Sequence, residues 1–114
     1  MPRKEFVTSG YTSMYMVVFF DLPVKLKIDR REYRLFRKAL VKDGFQMLQY
    51  SVYSRYCASQ HVVDQHLETV HNAVPPKGSV KILMLTSKMY ERMESFYKGH
   101  REASEKEPDV FTFY

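Results

Sequence analysis

Residues 14–21, MYMVVFFD, form a run of strand-forming side chains that is apolar almost throughout. Successive side chains of a strand point to opposite faces of a sheet, so this run carries apolar groups on both faces. Such a run predicts a buried strand. It stops at a single carboxylate, Asp21, and Leu22-Pro23 then breaks the strand. Any fold assigned to this chain has to cover the strand and account for the acid at its end.

The segments that follow alternate between helical and strand patterns. A helix is predicted over 30–42, with Asp29 as N-cap and Gly44 as the C′ residue that stops it. The aromatic-rich stretch 45–58 is long for one strand and predicts two strands or one sharply bent strand. The remaining predictions are a Ser59-capped helix over 60–74, a turn at 75–78, a strand at 79–86 and a short helix over 87–98. The order β-α-β-β-α-β is typical of the ferredoxin-like α+β fold, an antiparallel sheet with both helices on one face.

The predicted domain covers residues 14–98, between a polar N-terminal arm (1–13) and a C-terminal tail (99–114). The tail is polar and charged until its last five residues, VFTFY, whose composition predicts an extra strand that pairs with a partner subunit or docks another protein. Because the helices cover one sheet face while the strands are apolar on both, we predict a homodimer in which a second copy covers the open face.

Bulk composition narrows the class of partner. The 114-residue chain has a net charge of +5, which favours a polyanionic partner, nucleic acid first, although a generic basic protein has the same charge. Cys57 is the only cysteine, so no intrachain disulfide is possible, which fits the reducing cytoplasm. No apolar run approaches the roughly 20 residues of a membrane span, and the N-terminal arm lacks the apolar region of a signal peptide.

The positive charge is concentrated on the predicted first helix. On a helical wheel, one arc of this helix is apolar apart from Glu32, and the opposite arc is basic apart from Val41. The basic arc consists of Arg30, Arg31, Arg34, Arg37, Lys38 and Lys42. A solvated basic surface would have the same pattern, but four of the six residues are arginines, whose planar guanidinium suits phosphate. We therefore predict binding to a nucleic-acid backbone, largely independent of sequence.

The other chemistry-bearing residues do not form a recognisable catalytic or zinc site. His61, His66 and His71 lie five residues apart on the predicted second helix, and this spacing places them on different faces. The outer face of that helix is neutral to acidic, so it does not extend the basic surface. Cys57 lies in strand-like sequence, where packing is the ordinary role of such a residue.

Asp21 is the one candidate for metal chemistry. A strand-terminal acid has ordinary structural uses, since it can cap the next turn or pair with Lys25 or Arg30. The functional alternative is a ligand of Mg²⁺, which proteins hold with one or two carboxylates while waters and substrate phosphates complete the shell. Two copies of Asp21 across a dimer axis could hold such a metal against a phosphodiester.

Residues 14 to 85 resemble a known family, CRISPR-associated protein two, the small partner of the CRISPR integrase. The resemblance rests on "FFD" at the end of the first strand, "RREYRLFRKALVKDGF", "LQYSVYSR" and "PPKGSVKILML", in this order and spacing. The long aromatic region and the extended tail look like the versions that accompany type II systems. The resemblance implies a ferredoxin-like homodimer that sits between two integrase dimers. This homodimer supports the duplex that becomes a new spacer.

The family also includes members described as metal-dependent endonucleases acting on RNA or DNA, in which the acid ending the first strand is the proposed metal ligand. The matching position here is Asp21. One departure weighs against that chemistry: the loop after the first strand is often acid-containing in the family, whereas here it is basic and apolar, LPVKLKID.

Three hypotheses follow from these observations. The first is a dimeric adaptor that binds duplex DNA, the second a magnesium-dependent nuclease that acts through Asp21, and the third a small regulatory module that binds a metabolite. The adaptor is favoured, because six cations on one helix have no use in a metabolite-binding module.

Overall fold

The computed structural model of the protein describes residues 12–98 and 100–102. Its strands are β1 (Met14–Asp21), β2 (Gln46–Gln49), β3 (Val52–Cys57), β4 (Ser79–Thr86), β5 (Ser95–Tyr97) and β6 (His100–Glu102). Its helices are α1 (Lys27–Lys42) between β1 and β2, α2 (Gln60–Ala73) between β3 and β4, and the single-turn α3 (Ser87–Glu91) after β4.

Four strands form one sheet in the order β2-β3-β1-β4, and each neighbouring pair is antiparallel. The predicted buried strand, β1, lies inside the sheet and pairs with β3 on one side and β4 on the other. Its register with β4 runs from Met14 opposite Thr86 to Asp21 opposite Ser79. Helices α1 and α2 both pack on one face of this sheet. Together with the strand order, this packing confirms the predicted ferredoxin-like α+β fold.

The core lies between the sheet and the two long helices. The side chains of β1 at Met16, Val18 and Phe20 are buried there, against Phe36 of α1 and Val63 of α2, among others. The alternate residues of β1 point to the other face, where Tyr15 and Val17 are buried in a smaller cluster with Tyr90 of α3. Both faces of β1 are thus apolar: the two long helices cover one of them, and α3 covers only part of the other.

Several local predictions agree with the structure. Ser59 caps α2, since its Oγ accepts the backbone N–H of Val62 at 3.4 Å. Gly44 follows the C-cap of α1 with φ of +92°, a conformation that glycine adopts without strain. The stretch 45–58 forms two strands, β2 and β3, which meet in a hairpin at Tyr50-Ser51.

The predicted start of the first helix was wrong. Helix α1 begins at Lys27 and its N-cap is Leu26, so Asp29 is the third helical residue rather than the cap. From that position the Oδ2 of Asp29 reaches back and accepts the backbone N–H of Leu26 at 3.3 Å. A side chain at the third position can satisfy an unpaired N–H of the first turn as well as a cap residue can, so an acid at this point of a sequence is compatible with either start.

The predicted helix over 87–98 was also wrong in its second half. Helix α3 ends at Glu91, and β5 pairs with β6 in a separate two-stranded antiparallel hairpin. The ring of Tyr90 stacks on the ring of Tyr15 at 3.7 Å between centroids, so the end of α3 is fixed by tertiary packing. Strand β6 lies within the predicted polar tail, whereas the predicted arm before residue 12 and the predicted VFTFY strand lie outside the described residues.

Within residues 12–98 and 100–102, no helix combines the length and the apolarity needed to cross a bilayer.

Candidate nucleic-acid interface

The outer side of α1 carries the predicted cations, and we refer to Arg30, Arg31, Arg34, Arg37, Lys38 and Lys42 together as the basic face. All six side chains are exposed. Opposite them, Phe36 and Leu40 are each 1% exposed, which accounts for the orientation of the helix. On the helical wheel Leu35 also falls within the apolar arc, but its side chain is 47% exposed and lies at the boundary between the two faces.

Four members of the basic face form one row along the helix. Arg31, Arg34, Lys38 and Lys42 are spaced by three, four and four residues, which brings them to the same side over a length of about 16 Å. None of the four forms a hydrogen bond or an ion pair with another residue of the described part of the chain. Their charges are therefore directed to solvent, where an anionic partner can reach them.

The other two members of the basic face are held by the protein itself. Nη1 of Arg30 donates to the carbonyl oxygens of Val24 at 3.1 Å and Lys25 at 2.8 Å, which secures the loop before α1. Nε of Arg37 donates to the hydroxyl of the buried Tyr53 at 2.8 Å. Each guanidinium keeps further N–H groups for a ligand, and the Arg37 bond fixes the direction in which that side chain leaves the helix.

Asp21 ends β1 on the open face of the sheet and is exposed. The structural pairings that the sequence left open for it are absent from residues 12–98, because Asp21 forms no ion pair there with Lys25 or Arg30. Its carboxylate instead borders a shallow depression of about 230 Å³. The other residues that line this depression are Phe19, Phe20, Tyr50, Ser51, Val52, Ser79 and Lys81.

The turn before β4 fixes the backbone at Asp21. Gly78 has φ of +95°, and a Cβ at this position would lie 2.7 Å from the carbonyl oxygen of Asp21 and 2.7 Å from Cδ2 of Leu22. The preceding residue, Lys77, places its Nζ 3.7 Å from Oδ1 of the buried Asp29 in α1. The end of β1, the start of α1 and the turn before β4 are therefore packed as one unit.

A metal site built by one chain has few ligands. No group of three or more His, Cys, Asp or Glu side chains is arranged to hold a metal within the described residues. Asp21 supplies one carboxylate, with the hydroxyls of Ser51 and Ser79 in the same depression. This donor set is compatible with Mg²⁺ only if phosphate oxygens, waters or a second carboxylate complete the shell.

Two further titratable groups, His66 and Cys57, have structural roles. His66 lies with Nδ1 2.6 Å from Oδ2 of Asp43, and this contact joins α2 to the end of α1. The two residues are 23 positions apart, so local sequence pattern does not predict their contact. His61 and His71 are exposed. Cys57 is buried in β3, as its strand context predicted, and this burial raises the pKa of its thiol above the usual 9.0. A thiol that resists ionisation is a poor nucleophile.

The open face of the sheet contains an apolar groove of about 550 Å³. Val17 and Phe19 of β1 and Leu83 of β4 form part of its floor, and Met93 and Phe96 line it from the segment after α3. Three of these side chains are strongly exposed for their type: Phe19 is 40%, Leu83 47% and Phe96 63% exposed. The groove adjoins the depression at Asp21, and Phe19 lines both.

Most of the chain is similar in sequence to one family of known proteins. The family model for CRISPR associated protein Cas2 matches residues 14–93. A relative from Paracidovorax avenae, named CRISPR-associated endoribonuclease Cas2, is 46% identical over 106 residues, which cover 93% of this chain and 98% of the relative. A relative of the same name from Flavobacterium psychrophilum is 39% identical over 87 residues, which cover 76% of each chain.

One solved structure, described as the crystal structure of cas2, superposes with a TM-score of 0.53. The alignment covers 90% of this chain and all of the other, at 17% sequence identity. At this identity the likeness supports the fold alone.

Proposed function

The chain belongs to the family of CRISPR-associated protein Cas2, and from this premise we propose that it is a dimeric adaptor of CRISPR spacer acquisition that binds the backbone of duplex DNA and bridges integrase subunits. The proposal places it in the cytoplasm, where the foreign duplex and the genomic array meet. We also propose that the protein accompanies a type II CRISPR system.

The observation that carries this proposal is the row of four exposed, unpaired cations on the basic face. Arginine and lysine in this arrangement neutralise phosphates and release the counterions condensed on DNA, which gives affinity without base recognition. A row about 16 Å long on a rigid helix presents its charges along a line, as a nucleic-acid strand requires. Arg31 and Arg34 can each bind a phosphate through two N–H groups.

The apolar groove on the open face supports the dimer. A second copy packed over Phe19 and Leu83 would remove these side chains from water, and two copies related by a two-fold axis would carry two basic faces. A longer basic surface of this kind suits a duplex better than one helix does. The integrase contact rests on the family, and the proposed site for it is the strand-like end of the tail, which lies outside the described residues.

The salt dependence of duplex binding tests the adaptor. We expect Arg31→Ala combined with Arg34→Ala to weaken binding of a labelled duplex and to reduce the slope of log K against log salt by about 2 for each subunit that contacts the duplex, because each phosphate contact contributes about 0.9. Fluorescence anisotropy at four or more salt concentrations measures both quantities. The matched control is Lys88→Ala combined with Arg92→Ala, which removes two exposed cations from the region of α3. Equal slopes for the two double variants contradict the assignment of the basic face.

A second candidate function, a magnesium-dependent endonuclease, is favoured by a separate observation: Asp21 is exposed, is unpaired within residues 12–98 and borders a depression large enough to admit part of a ligand. The relatives named endoribonuclease support it. Asp21 would hold the metal with its carboxylate oxygens, and a bound Mg²⁺ supplies charge that stabilises a phosphodiester under attack. The chain's own contribution is to hold the backbone at Asp21 in place through the packing of Gly78.

Incubation with labelled RNA or duplex DNA and Mg²⁺ tests the nuclease. If Asp21 is the ligand, Asp21→Asn abolishes cleavage while duplex affinity stays within about twofold, because the substitution keeps the shape of the side chain and does not touch the basic face. Glu68→Gln, which alters an exposed acid on the outer side of α2, is the control and should cleave like the native protein. Cleavage by Asp21→Asn at the native rate, or no cleavage by the native protein, excludes this candidate and leaves the adaptor intact.

A further inference from the structure

The hairpin between β2 and β3 exposes an aromatic ring beside Asp21. Tyr50 is 74% exposed, more than any other large apolar or aromatic side chain of the described residues. An aromatic ring left in water at the tip of a hairpin forgoes the stabilisation that burial would give it. Single exposed apolar residues are common, so exposure alone does not identify a binding residue; the surroundings of Tyr50 do.

The position of Tyr50 is fixed by the structure beneath it. The next residue, Ser51, has φ of +61°, and its carbonyl oxygen accepts the N–H of Phe20 at 3.0 Å. The hydroxyl groups of Ser51 and Tyr33 hydrogen-bond at 3.0 Å. The ring of Tyr50 lies roughly parallel to that of Tyr33, with centroids 6.2 Å apart and planes at 23°.

Tyr33 is in turn anchored to the core. Its ring meets that of the buried Phe20 edge to face, with centroids 5.7 Å apart. A continuous series of rings thus runs from the core through Tyr33 to Tyr50. A ring supported in this way loses little conformational entropy when a flat ligand stacks on it, which is the property of an aromatic binding platform.

A cation lies on the other side of the same depression. In the register of β1 and β4, Asp21 faces Ser79 and Phe19 faces Lys81, so all four side chains lie on the open face of the sheet. Nζ of Lys81 lies 3.5 Å from the Oγ of Ser79 and can donate to it, which directs the ammonium toward the depression. The depression therefore combines an exposed ring, a carboxylate, two hydroxyls and an ammonium.

We propose that this depression binds one unpaired nucleotide, with its base stacked on Tyr50 and its adjoining phosphate on Lys81, next to Asp21. An aromatic face and a cation are the two groups that single-stranded nucleic acid requires, since every base has a flat face and every residue a phosphate. A base within a duplex is already stacked and cannot use Tyr50. The ligand class is therefore single-stranded RNA, single-stranded DNA or an unpaired end of a duplex.

This inference rests on the proposed function only in taking nucleic acid as the ligand. It differs in mechanism, because the basic face binds a backbone whatever the state of its bases, whereas the depression needs a base that is free. It also places an unpaired nucleotide beside the carboxylate that the nuclease candidate uses. A nucleotide subsite in this depression is equally compatible with an adaptor that holds the frayed end of a duplex.

The experiment compares single strands with a blunt duplex of the same sequence by fluorescence anisotropy. We expect Tyr50→Ala to weaken binding of single-stranded RNA and DNA about tenfold, the effect of losing one stacked base, and to leave the blunt duplex unchanged. Tyr50→Phe should bind like the native protein, because it keeps the ring. Tyr97→Ala is the matched control, since Tyr97 is 63% exposed and does not line the depression.

Abasic substitution gives an independent readout. In a series of oligonucleotides with one abasic residue at successive positions, the native protein should lose affinity at one position, and Tyr50→Ala should lose nothing further there. Lys81→Gln should weaken single strands and reduce the salt slope by about 1, because it removes one phosphate contact. Comparison of RNA with DNA in the same series identifies which of the two the subsite prefers.

For the Tyr50→Ala variant, any of three results overturns the proposal: equal losses for duplex and single strands, native affinity for single strands, or a change in sedimentation that assigns Tyr50 to a subunit interface. Failure of the proposed function looks different. A native protein that binds single strands through Tyr50 but does not bind duplex contradicts the adaptor and supports the subsite, whereas one that binds duplex alone contradicts only the subsite.

Discussion

At the scale of single residues, Gly78 shows how little room the backbone leaves around the candidate metal ligand. Its left-handed conformation lets the turn before β4 approach the end of β1 more closely than any side chain would permit, since a Cβ would lie 2.7 Å from the carbonyl oxygen of Asp21. The side chain of Asp21 is free, but the peptide that carries it is enclosed. The position of the backbone that carries this carboxylate is thus constrained by a residue 57 positions away in the chain.

We therefore expect Gly78→Ala to destabilise the protein by about 2 kcal/mol, because the substitution combines backbone strain with a clash against Asp21 and Leu22. Urea denaturation followed by circular dichroism measures the change. The control is Ala58→Gly, which alters an exposed loop residue and should stay within about 0.5–1 kcal/mol of the native protein. An unchanged midpoint for Gly78→Ala would mean that the turn can move away from β1, and the constraint on Asp21 would then be lost.

At the scale of elements, α1 performs two tasks with its two sides. One side buries Phe36 and Leu40 against the sheet, and the other presents a row of cations that attract no partner within the described residues. Like charges spaced three and four residues apart repel each other and cost the helix some stability. The start of the helix offsets part of this cost through Asp29, whose negative charge lies in the first turn, where the helix dipole is positive.

We expect Asp29→Ala to destabilise the protein by about 1–2 kcal/mol, because it removes the acceptor for the Leu26 N–H and the acid that faces Lys77. Thermal unfolding monitored at 222 nm checks this value. Glu68→Ala, an exposed helical acid of α2, serves for comparison and should change stability by less than about 0.5 kcal/mol. Comparable midpoints for both variants would show that the start of α1 is held by packing alone.

At the scale of the whole molecule, the open face of the sheet is the main surface without cover. Val17 is buried beneath the segment after α3, whereas Phe19 and Leu83 remain half exposed along the groove. Exposed apolar patches of this kind on a small protein mark places where another protein packs. The proposed second copy would cover the groove and leave the adjoining depression at Asp21 at the margin of the interface, open to a nucleotide.

Leu83→Glu tests this dimer. A carboxylate buried without a partner costs about 3 kcal/mol or more, so the dimer should dissociate at micromolar concentration and sediment as a monomer. Val74→Glu, which introduces the same charge at a 43% exposed residue at the end of α2, should sediment like the native protein. Native sedimentation of Leu83→Glu, or a native protein that is already monomeric, would contradict the proposed interface.

Local pattern was sufficient to predict much of this architecture. The order of the main elements along the chain, the two faces of α1, the strand character of 45–58, the stop at Gly44 and the cap at Ser59 all follow from periodicity and turn chemistry, which act between residues close in sequence. The exposure of the basic face could also be predicted, because charges with no apolar neighbours on their side of a helix stay in water. Two predictions were wrong: the start of α1 at Asp29 and the continuation of α3 beyond Glu91. At both positions the sequence is compatible with more than one helix boundary, and the structure selects one of them.

The tertiary structure alone decided what surrounds Asp21. Tyr50, Ser79 and Lys81 reach its depression through the pairing of β1 with β3 and β4, and the register of paired strands depends on how the whole sheet packs against its helices. A shift by one residue would have moved Lys81 to the opposite face. The sequence thus determined that this protein has a buried strand ending in an acid and a helix carrying six cations. The packing of the sheet determined which side chains share a site with that acid, because these neighbours are distant in the chain and become adjacent only once the core has formed.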